Sequence, residues 1–134
     1  MSLKDDIKKH EGWRSSVYKC TNGYDTIGYG FAIKDLILDK DIGDIILERK
    51  LNKLDLAITK TFSWFIDSPS EIKIVVTEMC YNLGVTGFSK FKKTIYLLET
   101  EQYEEASVEM LDSLWAKQVG NRANRLATQM RENK

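Results

Sequence analysis

Asn22-Gly23 constrains this chain more than any other pair of residues in it. Both positions tolerate positive φ, so the dipeptide favours a tight turn between antiparallel strands. The flanks agree. Tyr18-Lys19-Cys20-Thr21 leads in and Tyr24-Asp25-Thr26-Ile27-Gly28-Tyr29-Gly30 leads out. Residues 15 to 32 alternate and carry glycines and aromatic side chains, which predicts two or three short antiparallel strands. Ahead of them, residues 2 to 11 read as a helix capped by Ser2. Leu3 and Ile7 share one face of it, and Glu11 continues that inward face. Eight residues separate Glu11 from Cys20, and five separate Cys20 from Thr26. A carboxylic acid at a helix end thus faces a hairpin bearing a thiol and a hydroxyl, an arrangement suited to hydrolysis.

The rest of the chain reads as helical. Residues 40 to 61 carry an apolar stripe of Ile42, Ile45, Ile46, Leu54 and Ile58, with Asp39 as cap. A helix of that length spans about 33 Å and is suited to joining two lobes. Ser68-Pro69-Ser70-Glu71 is a helix start, with Ser68 as cap and Glu71 completing a capping box. The following run, Ile72 to Leu83, is apolar on nearly every side, so it is expected to be the central buried helix, ended by Gly84. Further helices are expected at 89 to 98, 101 to 113 and 121 to 131, with Thr100 capping the second. No repeat or low-complexity linker interrupts the chain, and Pro69 is its only proline.

Bulk properties exclude several function classes. Lys plus Arg and Asp plus Glu are 20 each, so the net charge is zero and exerts no general pull on nucleic acid. With 134 residues, 43% of them hydrophobic, the chain can build one domain with its own core. No apolar run reaches the length of a membrane span, and Met1-Ser2-Leu3-Lys4-Asp5-Asp6 lacks the apolar core of a signal peptide. Residence in a cytoplasm without stable membrane insertion is the expectation. Cys20 and Cys80 are expected as free thiols, and His10 is the only histidine, so no metal site or other cofactor is expected.

The spacing and context of Glu11, Cys20 and Thr26 resemble those of the T-even phage lysozymes, glycoside hydrolase family 24. These endolysins carry Glu, then Asp or Cys, then Thr at the same intervals; here Cys20 stands in the Asp place. The second half repeats the likeness in order: Tyr81-Asn82-Leu83-Gly84, Gly87-Phe88, Tyr103-Glu104-Glu105-Ala106, Trp115 and Asn121-Arg122-Ala123-Asn124-Arg125. The resemblance spans roughly residues 3 to 131. It implies an α+β, lysozyme-like, mostly helical fold over 1–134. A small β-containing lobe with its connecting helix (12–61) would be joined to a helical lobe (1–11 and 62–134). It also implies peptidoglycan as substrate, cleaved between N-acetylmuramic acid and N-acetylglucosamine.

Each residue has a bland reading beside the catalytic one. Glu11 as general acid must keep its proton near neutrality, which calls for partial burial; alone it would read as a surface carboxylate. Cys20 can act as thiolate base, water holder or nucleophile, or be a small packed residue. Lys19 cannot assist it, since alternation points Lys19 to the other face. Thr26 would hold water, or merely favour a strand. Gly30 allows close approach of a ligand, or a bend. The resemblance adds Ala32, Tyr81, Phe91 and Glu109 as sugar contacts, and Arg122 as a positioning residue that pairs with the acid. Trp13, Trp64 and Tyr29 could stack on sugars or serve as core. A monomeric endolysin is expected, and the absence of a signal or membrane segment suggests that it accumulates in the host cytoplasm until a partner such as a holin opens the membrane. A lytic transglycosylase and a non-catalytic peptidoglycan-binding protein are the rival readings.

Overall fold

The computed structural model describes residues 2–133. Seven helices and a three-stranded antiparallel sheet make up the described residues, as the α+β reading requires. In chain order these are α1 (Leu3–Glu11), β1 (Arg14–Lys19), β2 (Asp25–Gly28), β3 (Phe31–Ala32), α2 (Lys40–Thr61), α3 (Ser70–Phe88), α4 (Lys92–Glu99), α5 (Tyr103–Leu111), α6 (Leu114–Val119) and α7 (Asn121–Arg131). A single 3-10 turn, Ile33–Asp35, follows β3. The chain divides into two compact units, one ending at Asp44 and the other beginning at Ile45.

The first unit holds α1 and the sheet, in the order β1-β2-β3. Ser2 caps α1 as expected, its Oγ accepting from the Asp5 N–H at 3.1 Å. The inward apolar face of α1 is not found. No residue of α1 is buried, and Leu3 is 75% exposed. Leu3 and Ile7 are the only apolar side chains among its nine residues, too few for a packed stripe.

The hairpin turn also differs from the two-residue Asn-Gly form. The Gly23 N–H donates to Cys20 O, and the Cys20 N–H donates to Tyr24 O. Thr21, Asn22 and Gly23 therefore form a three-residue loop, in which Gly23 alone takes positive φ, at 82°. Further along, Lys19 pairs with Asp25 and Tyr18 with Thr26, but Arg14 pairs with Gly28, so β1 carries a bulge between Arg14 and Tyr18. Thr26 pairs on its other side with Ala32.

The second unit contains the hydrophobic core. Ile72, Val75, Val76, Met79, Cys80 and Phe88 of α3 are buried, so α3 is the central helix that its sequence predicts. Ile58, Leu98, Met110, Leu126 and Met130 pack around it from α2, α4, α5 and α7. Burying each such side chain contributes about 1.5–3 kcal/mol. Along α2 only Ile58 is buried and Leu54 partly so, while Ile42, Ile45 and Ile46 stay exposed.

Several boundaries move for local reasons. Ser68 does not cap α3: its hydroxyl donates to Trp64 O at 2.8 Å, and Glu71 accepts from Gln129 Nε2 at 2.6 Å instead of closing a capping box. Gly84 breaks the helix as expected (φ 73°, ψ 162°), yet helical backbone resumes beyond it to Phe88. Thr100 closes α4 rather than opening α5, donating to Tyr96 O at 2.8 Å. The helix expected over 101 to 113 ends at Leu111. Extended Ser113 then starts the extra helix α6, its Oγ accepting from the Ala116 N–H at 3.1 Å.

Candidate active site

Glu11 is the last residue of α1, which Gly12 closes at φ 70° with its N–H on Lys8 O. The Glu11 side chain lies against the backbone of Gly30. A Cβ on Gly30 would sit 2.5 Å from Glu11 Oε2 and 3.0 Å from its Cδ, and Gly30 has φ 76°. Glycine thus meets two local demands here: the left-handed backbone and the approach of the carboxyl. Glu11 itself is exposed, so the protein does not bury it as its proposed chemistry suggested. The cause is the same as for Leu3 and Ile7: α1 has no buried face.

Cys20 and Thr26 are brought together by the hairpin. Residues 18, 20, 24 and 26 share a face of the β1–β2 ladder, because Tyr18 pairs with Thr26 and Cys20 stands opposite Tyr24. The Cys20 thiol is partly exposed. Hydrogen bonding from the Tyr24 backbone, then from that of Asn22, holds its pKa below the ordinary thiol value. Weak burial opposes this, and the Gly23 backbone adds to the lowering. The three-residue loop thus gathers N–H groups around the sulfur, as anion-binding turns do. Lys19 takes no part: its Nζ pairs with Asp25 Oδ1 at 2.6 Å.

Thr26 is buried, and its hydroxyl donates to Tyr24 O at 2.9 Å. That bond uses the one hydroxyl proton and leaves the oxygen lone pairs free to accept from a water. Tyr24 therefore serves both residues through its backbone. Its role was overlooked in the sequence, where the loop length alone could have shown that residue 24 stands opposite residue 20.

The candidate residues of the second unit fall at three places. Phe91 and Glu109 line one pocket of about 370 Å³, together with Lys93 and Ser113. Glu109 pairs there with Lys93 at 3.4 Å, and Phe91 is half-buried between Phe88 and Trp115, with ring centroids 6.1 and 6.4 Å away. Tyr81 lines a second pocket with Lys50, Leu54 and Cys80. Arg122 donates through Nη2 to Glu78 Oε1 at 3.3 Å, a partner that the sequence did not suggest.

The family model for phage lysozyme matches residues 8–133, a span that takes in all nine candidate residues. The chain belongs to the phage lysozyme family. Similar proteins include Probable T4-type lysozyme 2 and Probable T4-type lysozyme 1 of Dictyostelium discoideum. Each is 29% identical over 154 residues, covering 93% of this chain and 91% of the relative. The pre-baseplate central spike protein Gp5 of Enterobacteria phage T4 is 28% identical over 94% of this chain and 27% of its own length. At the level of the phage lysozyme family, membership implies a lysozyme-like peptidoglycan hydrolase.

The two thiols of this phage lysozyme family member have opposite characters. Cys80 is 1% exposed in the core, and burial pushes its pKa up to about 12. Reaction requires the thiolate and access to it. An alkylating reagent near neutral pH is expected to add one label to the native protein, on Cys20, and a second only after unfolding. Intact mass against time checks this; equal labelling rates for the two cysteines would contradict it.

Proposed function

We propose that this protein is a muramidase that hydrolyses the β-1,4 bond between N-acetylmuramic acid and N-acetylglucosamine. The supporting observation is the local construction of the first unit in a chain of this family. Glu11 rests on the Gly30 backbone, and Cys20 shares a ladder face with Thr26. Glu11 gives its proton to the leaving oxygen as positive character develops at the sugar carbon. Glu11 is exposed at the end of α1, where a leaving oxygen can reach it. Thr26 accepts from the attacking water, and Cys20, as thiolate, removes its proton. Water rather than sulfur attacks, so the configuration at the sugar carbon inverts.

Product masses test this reading. Hydrolysis adds one water to each cut. A lytic transglycosylase, which needs one acid and no base for an external water, leaves an anhydro ring. A peptidoglycan-binding protein leaves the glycan uncut.

The thiolate role gives a separate expectation. Since the loop N–H groups lower the Cys20 pKa, activity should rise with pH through a limb below the ordinary thiol range. Cys20→Ser keeps a polar atom but cannot ionise, so it should lose most activity and the limb with it. Cys20→Asp should retain much activity and move the limb to lower pH. Rate profiles against pH for the three proteins check this. A fully active Cys20→Ala variant would remove Cys20 from the mechanism. A thioglycosyl adduct on Cys20 would make it the nucleophile.

A further inference from the structure

We infer that Trp13, braced by Tyr29, is a stacking platform for a pyranose ring of the glycan strand, beside the sugar on which Glu11 acts. The inference rests on the muramidase reading. Trp13 is 61% exposed, and its ring stands 4.9 Å from that of Tyr29, tilted by 57°. Tyr29 is held in turn. Phe31 meets it edge-on at 6.3 Å, and Lys8 Nζ lies 5.5 Å from its ring centre. Gly28 fits beneath these rings, since a Cβ there would lie 2.8 Å from Phe31 and 3.4 Å from Trp13 Cζ3. Trp13 is therefore a large exposed ring supported on one side by Tyr29, which reduces the freedom to be lost on binding.

Both ends of the ring pair are tied to the candidate acid. Trp13 follows Glu11 by two residues through the closing Gly12. Tyr29 immediately precedes Gly30, whose backbone lies against the Glu11 carboxyl. A pyranose presents a face of C–H groups and a rim of hydroxyls. Trp13 offers an apolar face for the first and an indole N–H for the second. Lys8 adds positive charge beside Tyr29, which suits a glycan whose muramic units carry either a free lactyl carboxylate or an acidic stem peptide. Lys8 beside Tyr29 and Glu11 two residues before Trp13 put charge at the edge of these rings, which suits a polar sugar better than a bilayer.

The test uses soluble, uncross-linked glycan strands and the whole protein. Wild-type protein is first assayed for release of reducing ends; none would end the muramidase reading. Binding then decides the platform on its own evidence. The Trp13 indole N–H resonance, assigned by its loss in Trp13→Phe, should shift when glycan is added to Glu11→Gln protein. Trp13→Ala should raise KM about tenfold, the scale of one stacking contact, while kcat falls far less; Trp13→Phe should restore most of the affinity. An unmoved Trp13 resonance, or an unchanged KM in Trp13→Ala, would overturn the platform even where hydrolysis is normal. So would a Trp13 response to anionic lipid vesicles and none to glycan.

Discussion

Glu11→Gln is expected to keep the fold and glycan binding and to lose at least a hundredfold in turnover, the scale of about 10²–10⁴ typical of general acid catalysis. Gln matches Glu in shape but has no acidic proton to give a leaving oxygen. The structural cost should be small, because Glu11 is exposed at the end of α1, and surface changes usually stay within about 0.5 kcal/mol. Glycan cleavage rates and thermal melting, taken together, separate chemistry from stability. A folded Gln variant with near-normal turnover would remove Glu11 as the acid. The control matters because only a folded variant that has lost turnover assigns the loss to chemistry.

How far the sequence revealed this site depends on the range of the interaction. The turning away of Lys19 from Cys20 follows from alternation along one strand, a period of two over a few residues; Lys19 pairs with Asp25. The face shared by Cys20 and Thr26 depends on the loop as well, because a two-residue turn would pair Lys19 with Thr26 and put Cys20 on the other face. The N–H groups around Cys20 were hidden by an error of one loop residue. A two-residue Asn-Gly turn would not stand Tyr24 opposite Cys20, whereas the observed three-residue loop does. The helices α1, α2, α3 and α7 were expected near their observed places. The Ser2 cap and the buried run of α3 were borne out, while the Ser68 cap and the apolar faces of α1 and the start of α2 were not found. α6 was missed because Ser113 has no signal stronger than its neighbours until its backbone extends and caps the next turn. The contact of Glu11 with Gly30 joins a helix end to a turn beyond β2. No local pattern records it, since it depends on where the chain beyond β2 passes the end of α1. The Arg122–Glu78 pair was hidden for the same reason, lying between α7 and α3.

That contact makes Gly30→Ala the second severe substitution. Two penalties separate cleanly at this position. Positive φ costs an L-residue about 1–2 kcal/mol, which lowers the melting temperature without touching the chemistry. The added methyl, 2.5 Å from Glu11 Oε2, must also push the carboxyl aside, and an exposed side chain yields more readily than backbone. Misplacing a catalytic group by about 1 Å can cost about a hundredfold. Gly30→Ala should therefore fold, melt somewhat earlier, and lose turnover on that scale. Gly84→Ala isolates the first penalty: Gly84 has φ 73° with nothing within 4 Å of an added Cβ, so it should lose stability and keep turnover. A Gly30→Ala variant with normal kcat would show that the contact with Glu11 does not set its position. The double variant with Glu11→Gln sharpens the point. If Gly30 acts only by placing the Glu11 carboxyl, removing the acid first should leave Gly30→Ala with almost nothing further to take away.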